Sequence, residues 1–315
     1  MTGVVVVGSF NVDHVWRCQV LPAPGETLAG DYATGPGGKG FNQAMAARRA
    51  GAQTVFVCAL GDDPGGQLAR DLAAGDGIDL RAEASDAPTG TAGIFVDAGG
   101  RNSIVIGPGA NAALGVAHVR AQAGAITGAR ALLAQLESPI DAITAALALA
   151  REAGVPRVLN PAPANAPTTA ALLALADTLT PNETEFAALI ARHTAMAIPA
   201  EAVATASDDA LHLLCRTLHP GGSVVITLGA MGSFVSHPDA ALRGDAASHY
   251  RVPAAPAEVV DTTGAGDAFN GALCASMALR PEARFGEHVA FASHYAARST
   301  EVAGAALAMP FLPVC

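Results

Sequence analysis

Short apolar runs alternate with amphipathic segments along most of the chain, a rhythm typical of layered α/β folds. Four consecutive valines, Val4–Val7, predict a strand that is buried on both faces. Further strands are predicted at 54–60, 130–136, 155–160, 177–180 and 222–228. Helices are predicted at 39–50, 67–74, 116–128, 139–153, 167–175, 182–191, 206–219, 266–279 and 285–298. Because strands that alternate with helices form right-handed units, we predict one α/β domain over 1–315 with a doubly wound, mostly parallel sheet.

Two β segments do not fit this rhythm. Residues 12–34 contain two short extended stretches around an LPAPGE turn, and residues 90–107 alternate around two glycines. We predict that these segments form a small β lid over one edge of the main sheet. Residues 233–236 and 248–252 predict antiparallel strands added to the main sheet.

Composition narrows the class of protein. Of the 315 residues, 51% are hydrophobic and 15% are charged, which favours a large buried core over a disordered chain. The net charge of -10 and the absence of a basic cluster argue against nucleic-acid and membrane-surface partners. The five cysteines form no CxxC pair, and the first residues carry no signal-peptide pattern. We therefore expect a cytoplasmic protein with reduced thiols.

The strongest chemical motif lies before the predicted helix 266–279. Gly264, Ala265, Gly266 and Asp267 follow an extended segment and open that helix. Two glycines allow successive backbone N–H groups to face one point at the helix start, where an anion is stabilised. Asp267 then lies in the first helical turn. Alternatively, Asp267 only complements the helix dipole.

A second glycine cluster contains the only lysine of the chain. Gly37, Gly38, Lys39 and Gly40 precede Asn42, while every other basic residue is arginine. The glycines permit close approach of a small ligand, and a compact ammonium group is not replaced geometrically by a guanidinium group. A tight strand-to-helix turn is the alternative interpretation.

Two polar clusters also follow predicted strands. Asn11 and Asp13 come after the first strand, where ligands bind in open α/β sheets, and Asp13 is suited to accept two sugar hydroxyls; the alternative is an Asx turn. Farther along, Asn182 and Glu185 predict a phosphate-facing pair, with Glu185 ordering the water around Mg²⁺. Alternatively, Thr180 or Asn182 only caps the next helix.

Two common nucleotide-binding motifs are absent from the sequence. No GxxxxGK[ST] segment is present, which excludes a P-loop enzyme. No GxGxxG segment follows the first strand, which argues against dinucleotide binding. The nine histidines show no metal-ligand spacing.

These motifs resemble those of the ribokinase-like (PfkB) carbohydrate kinases. One family motif matches Gly37–Ala44, and the other matches Asp261–Asp267. The similarity extends over nearly the whole chain and includes Gly8–Asp13, Pro24–Thr27, Gln135–Pro139, Asn160–Pro163, Thr180–Glu185 and Thr227–Gly229. The resemblance implies phosphorylation of the O5 hydroxyl of D-ribose by ATP, with Mg²⁺ and a monovalent cation, usually K⁺.

The resemblance also implies a role for each matching residue. Asp267 would be the catalytic base, and Gly264, Ala265 and Gly266 would form the anion hole. The sugar would be bound by Asn11, Asp13, Gly37, Gly38, Lys39, Gly40, Asn42, Glu137 and Asp267. The nucleotide would be bound by Asn182, Glu185, Thr227, Gly229, Ala230, Met231, Gly232, Gly266 and Ser293. The cation would be held by Asp261, Thr263, Ser299, Val302 and Gly304.

Several points stay open at the level of sequence. Ala308 stands where relatives have a serine oxygen near the cation, and Ser293 replaces a residue that is often larger. Phe41 is bulkier than expected and would either narrow the sugar site or pack on the lid. Other acceptors are 2-deoxyribose, a ketohexose or a nucleoside, and a non-catalytic sugar sensor is the alternative outside enzymes. Exposed lid edges predict pairing between subunits, and hence a homodimer.

Overall fold

The structure, a computed structural model, describes residues 2–312. The strands are β1 (Thr2–Val7), β2 (Asn11–Arg17), β3 (Asp31–Gly37), β4 (Thr54–Gly61), β5 (Asp79–Ser85), β6 (Gly90–Val96), β7 (Asn102–Gly107), β8 (Ala129–Ala134), β9 (Arg157–Leu159), β10 (Thr178–Leu179), β11 (Ser223–Thr227), β12 (Ser233–Ser236) and β13 (His249–Val252). The helices are α1 (Lys39–Arg49), α2 (Pro64–Asp76), α3 (Val116–Ala121), α4 (Ala123–Thr127), α5 (Ile140–Glu152), α6 (Ala170–Leu173), α7 (Glu183–His193), α8 (Ala200–Val203), α9 (Asp208–Leu218), α10 (Ala265–Leu279) and α11 (Phe285–Ser299).

The main sheet has nine strands in the order β13-β12-β11-β10-β9-β8-β1-β4-β5. All neighbouring pairs from β11 to β5 are parallel, while β12 and β13 are antiparallel additions. The predicted α/β class and mostly parallel sheet are therefore confirmed. The edge strand β5 was not predicted, because Leu80 and Ala82 are its only side chains packed against the core and only Leu80 is large.

Helices cover both faces of this sheet. In β1, Val4 and Val6 pack into a core with α1, α10 and α11, whereas Val5 and Val7 pack into a second core with α5, α7 and α9. Successive side chains of a strand point to opposite faces, so one run of valines contributes to both cores. This explains why the run Val4–Val7 within β1 has no polar position.

A separate four-stranded sheet, which we call the lid, has the order β3-β2-β6-β7. Each predicted hairpin forms an antiparallel pair, and a parallel pairing of β2 with β6 joins the two. Only three residues separate the end of β1 from the start of β2. The chain therefore passes directly from the carboxyl edge of the main sheet into the lid.

Other features differ in detail from the expectation. The predicted helix 116–128 is divided into α3 and α4 at Gln122, and the short helix α8 was not predicted. Within residues 2–312, no helix combines the length and the apolar character that a membrane crossing requires. Cys18, Cys58, Cys215 and Cys274 are free thiols. Cys315 lies outside the described residues.

Candidate active site

The glycine-rich turn before α1 packs directly against the segment that enters the lid. Gly38 has a φ of 86°, and a Cβ there would lie 2.8 Å from the backbone nitrogen of Asn11. A Cβ at Gly37 would lie 2.2 Å from Asp13 Oδ2, and a Cβ at Gly40 would also collide with backbone. The tight-turn interpretation of these glycines is therefore correct. The same close packing brings α1 next to the residues that follow β1.

Asp267 lies in the first turn of α10 and is buried. Its Oδ2 accepts a hydrogen bond of 2.8 Å from Asn42 Nδ2, and its Oδ1 accepts one of 2.9 Å from Gln43 Nε2. Burial raises the pKa of the Asp267 carboxyl, although the Lys39 ammonium group and the two amide donors oppose this effect. The carboxylate is thus fixed by α1, and complementing the helix dipole does not account for its contacts.

Lys39 and three further carboxylates surround Asp267. Glu137 Oε2 accepts hydrogen bonds from the Lys39 backbone nitrogen at 2.9 Å and from Ser9 Oγ at 2.6 Å. Burial would lower the pKa of the Lys39 side chain, but the charges of Asp267, Glu137 and Glu185 outweigh burial and raise it. The one lysine therefore stays charged among acidic groups.

Asp13 lies on β2 with its side chain toward the same cluster. Burial raises its pKa to about 7, and the charges of Glu137 and Asp267 add to this shift. Within residues 2–312, no group donates a hydrogen bond to the Asp13 carboxylate. The contacts of Asp13 therefore do not indicate an Asx turn. An acidic side chain of this kind is a strong acceptor for paired hydroxyl groups.

Asn11 is tied to a residue that sequence reasoning did not select. Asn111 Nδ2 donates to Asn11 Oδ1 at 2.8 Å, and the Phe10 backbone nitrogen donates to Asn111 Oδ1 at 2.9 Å. Both asparagine side chains are buried. Phe41 is also fully buried and packs edge-on against Phe10 with ring centroids 5.0 Å apart, so it belongs to the core and does not pack on the lid.

The start of α10 leaves two backbone donors open. Gly264 has a φ of 76°, and the Ala265 N–H donates to the Thr262 carbonyl. Within the described residues, the N–H groups of Gly266 and Asp267 donate to no backbone carbonyl. A Cβ at Gly266 would meet no atom within 4 Å. Open amides beside free space at a helix start are suited to an anion.

The residues assigned to the nucleotide lie on two adjoining segments, except for Gly266 at the start of α10 and Ser293 on α11. Asn182 caps α7, and Glu185 returns the second hydrogen bond of a capping box, so the capping interpretation is correct for Asn182. Asn182 also bridges to Thr227, which is followed by the turn of Gly229, Ala230 and Met231.

Glu185 and Gly232 have additional structural roles. Glu185 is buried, and burial raises its pKa although the Asn182 backbone N–H and the Lys39 charge oppose this effect. The charge of Asp267 also raises the pKa of Glu185, so Glu185 lies near the acidic cluster. A Cβ at Gly232 would lie 2.1 Å from the Val252 carbonyl oxygen, so this glycine is required for packing of β13. Ser293 lies half-buried on α11, apart in sequence from these segments.

The residues assigned to the cation bring two loops together. Asp261 Oδ1 accepts hydrogen bonds from the backbone nitrogen and the hydroxyl of Thr263, and its Oδ2 accepts one of 3.0 Å from the Gly304 backbone nitrogen. Burial raises the pKa of Asp261, but these hydrogen bonds outweigh it and lower the pKa overall. Ser299 donates its hydroxyl to the Ala296 carbonyl, and Val302 is exposed.

The fold and the site together define a class of protein. A carboxylate is held beside open amides at a helix start, at the carboxyl edge of a parallel sheet, next to a lid. This arrangement is suited to an enzyme that activates a hydroxyl group and stabilises a migrating phosphoryl group.

Comparison with known proteins gives the family. Residues 1–312 match the family model described as pfkB family carbohydrate kinase. The chain is 38% identical over 310 residues to a ribokinase of Haemophilus influenzae, covering 97% of this chain and 94% of the relative. It is also 38% identical over 314 residues to a bifunctional ribokinase/ribose-5-phosphate isomerase A of Fructilactobacillus sanfranciscensis, covering 98% of this chain but 55% of that protein.

A solved structure supports the same relationship. The structure of Arabidopsis thaliana ribokinase complexed with ribose and ATP has a TM-score of 0.83 and 30% identity, and the match covers 98% of this chain and 96% of that chain. The chain belongs to the pfkB family of carbohydrate kinases, which are phosphotransferases that act on an alcohol group.

Proposed function

We propose that the protein transfers the γ-phosphoryl group of ATP to the O5 hydroxyl of D-ribose, giving D-ribose 5-phosphate and ADP. The observation that carries this proposal is the buried Asp267 carboxylate, held by Asn42 and Gln43 beside the open amides of Gly266 and Asp267. The relatives named ribokinase, one of them solved with ribose and ATP, support the choice of both substrates.

The proposed reaction is an in-line displacement at phosphorus. The sugar O5 forms a new bond to the γ-phosphorus while the bond from that phosphorus to the β,γ-bridging oxygen breaks and ADP leaves. The O5 proton passes to Asp267, and the amides at the start of α10 neutralise charge on the transferred group. The Lys39 ammonium group opposes the effect of burial on the pKa of Asp267 and so favours its ionised form.

The sugar would lie between the glycine-rich turn and the lid. Asp13 would accept two ring hydroxyls, and Asn42 would use its Oδ1, which is buried and has no partner in the described chain. Gly38 lets the turn pack against the segment that carries Asn11, because a side chain there would collide with the Asn11 backbone. Asn11 and Glu137 would complete the binding of the sugar.

The nucleotide would lie along the bridged segments. Asn182 and the turn after β11, Gly229–Met231, would line its binding site, together with Thr227 and, on α11, Ser293. Bound Mg²⁺ would neutralise the phosphate charge, and its water shell would face Glu185, whose buried carboxylate lies near Lys39 and Asp267.

The donor set around Asp261 fits a monovalent cation such as K⁺. A carboxylate and the carbonyls of the two loops that it joins would provide hard oxygen ligands. Thr263, Val302 and Gly304 lie on these loops, and Ser299 is the last residue of α11. Ala308 lacks a side-chain oxygen, so backbone carbonyls would replace it. Bound cation would add positive charge behind the anion hole. Replacing K⁺ by tetramethylammonium should lower the rate of ADP release, and Asp261→Ala should abolish this difference.

We propose that the chain forms one kinase domain. Its lid would cover the sugar and would also form the contact surface of a homodimer. The outer strand β7 is exposed along its length, including Ile104, Val105 and Ile106. Its backbone edge is free to pair with a second copy, which would remove these apolar side chains from water. The free thiols are compatible with a cytoplasmic location.

A panel of acceptors tests the proposed function. ADP release would be measured with ATP and D-ribose, 2-deoxyribose, fructose, adenosine or no acceptor, and the phosphorylated position would be identified by ³¹P–¹H correlation NMR. We expect the highest kcat/KM with D-ribose and coupling of phosphorus to the C5 protons. A higher kcat/KM with another acceptor would refute the choice of ribose. Tight sugar binding without any ADP release would favour the non-catalytic sensor.

A further inference from the structure

Gln43 is a fully buried side chain on α1 whose amide group is saturated by polar partners. Its Nε2 donates to Asp267 Oδ1 at 2.9 Å and to Asn160 Oδ1 at 3.1 Å. Its Oε1 accepts a hydrogen bond of 2.5 Å from Gln135 Nε2. A buried amide with all of its groups satisfied is fixed in orientation, because any rotation would leave an unsatisfied polar atom.

The partners of Gln43 come from neighbouring strands of the main sheet. Gln135, Asn160 and Thr180 are the residues that directly follow β8, β9 and β10, respectively. Asn160 Nδ2 donates to the Thr180 carbonyl oxygen at 2.9 Å. The carboxyl ends of three adjacent parallel strands thus present one buried row of polar groups, and Gln43 joins this row to Asp267.

The row returns to the helix that carries Asp267. Thr180 Oγ1 donates to Asn270 Oδ1 at 2.5 Å, and Asn270 Nδ2 donates to the Gly266 carbonyl oxygen at 2.8 Å. The hydrogen bonds therefore form a closed circuit from the Asp267 carboxylate to the backbone of Gly266. Apart from Gly266, the members of the circuit are buried.

We infer that Gln43 is a positioning residue, which fixes the Asp267 carboxylate relative to the sheet and to the amides at the start of α10. The terminal torsion of an aspartate side chain is soft, so burial alone does not fix its oxygens. Asn42 holds Oδ2, but Asn42 is also proposed to bind the sugar through its unpartnered Oδ1. Gln43 holds the other oxygen, Oδ1, and is itself fully buried. This inference rests on the proposed function only for its kinetic consequences.

The test uses Gln43→Met, which replaces the amide by an unbranched apolar side chain of similar length. A hydrogen bond to a carboxylate favours its ionised form, and two or three of them lower its pKa by about two units, so loss of one raises it by about one unit. We expect the acidic limb of the kcat–pH profile to move up by about one pH unit, with kcat about tenfold lower and KM for the sugar unchanged.

The matched control is Gln135→Met, on the opposite side of the same amide. It also removes one buried hydrogen bond of Gln43 but leaves the bond from Gln43 Nε2 to Asp267. We expect a similar fall in melting temperature and an acidic limb in the same place as in the wild-type protein. A purely structural role for Gln43 predicts the same pH profile for both variants, and that result would overturn the inference.

Two further measurements keep the test decisive. If Gln43→Met does not fold, Gln43→Glu retains the size and an acceptor for Gln135, and should move the acidic limb even farther upward because two carboxylates then adjoin. Titration of Asp267 by ¹³C NMR in protein labelled at aspartate carboxyl carbons reports the same shift without turnover. If no acceptor is phosphorylated but the Asp267 titration still moves in Gln43→Met, the proposed function fails and the positioning role stands. An unmoved titration refutes the positioning role.

Discussion

Replacement of Asp267 by asparagine separates the chemistry of the site from its packing. In the wild-type protein both carboxylate oxygens accept hydrogen bonds, from Asn42 and Gln43. Asparagine puts an amide NH₂ group at one of these positions. If that group faces Asn42, a flip of the Asn42 amide restores a hydrogen bond, because Asn42 Oδ1 has no partner in the described chain. The site therefore has a way to accommodate Asp267→Asn without a buried clash.

The expected loss of activity follows from the loss of the base. A positioned general base contributes ~10²–10⁴-fold, which corresponds to about 3–5 kcal/mol in the activation free energy. We expect kcat to fall by this factor while KM for ATP changes little, because the amides at the start of α10 remain. The loss should not be recovered by raising the pH, since the amide does not ionise.

Although Asp267→Asn should lose activity, it should not lose stability. Burial raises the pKa of Asp267 in the folded protein above its unfolded value. Because a group with a raised pKa binds its proton more tightly in the folded protein, the free energy of unfolding falls as the pH rises from the unfolded to the folded pKa. Above the folded pKa, the cost in stability of the buried, ionised carboxylate is fully present. Asparagine removes this cost. Asp267→Asn should therefore be at least as stable as the wild-type protein at pH 8.

The assay pairs ADP release with thermal unfolding. Asp71→Asn is the control, because Asp71 is an exposed carboxylate on α2 and, within residues 2–312, only Gln67 donates a hydrogen bond to its side chain. We expect the control to keep wild-type turnover. Turnover of Asp267→Asn within about threefold of wild type would refute the assignment of the base. An inactive variant that is also strongly destabilised would refute the role of the Asn42 flip.

Three further predictions follow from the geometry. Gly266→Ala should lower kcat without lowering the melting temperature, because its Cβ enters open space beside the amides. Gly264→Ala should lower the melting temperature, because φ at Gly264 is 76° and its Cβ would lie 2.9 Å from Ala305. For D-ribose, kcat/KM should fall as the pH drops below about 7, where Asp13 becomes protonated, and this limb should be absent in Asp13→Asn; an unchanged limb contradicts it. Ile104→Lys on the exposed strand β7 should turn a dimer into a monomer by light scattering; an unchanged mass contradicts a lid interface.

Much of the fold follows from local pattern. The valines of β1 predict a central strand because both cores of the protein need an apolar side chain from alternate positions. Strand β5 shows the limit of this reasoning. It lies at the edge of the sheet, so charged residues such as Asp79 and Glu83 can stand between its apolar residues without a charge being buried. A polar edge strand resembles a loop in sequence.

The site was predictable only where residue type carries the chemistry. The glycine motifs around Lys39 and before Asp267 are unusual enough in one chain to indicate a ligand site. Gln43 and Asn111 were not selected, because their roles depend on partners 224 and 100 residues away in sequence, respectively. A buried amide next to a motif gives no sign of which distant carboxylate it will contact. Only the folded arrangement of α1, α10 and the lid supplies that information.

A crystal structure with D-ribose and a non-hydrolysable ATP analogue would show both substrates beside Asp267. We expect the ribose O5 within about 3.2 Å of an Asp267 carboxylate oxygen, with the terminal phosphate against the backbone nitrogens of Gly266 and Asp267. Asp13 should contact the ring hydroxyls from the lid side. A sugar bound with O5 directed away from Asp267, or a terminal phosphate distant from the start of α10, would contradict the proposed function.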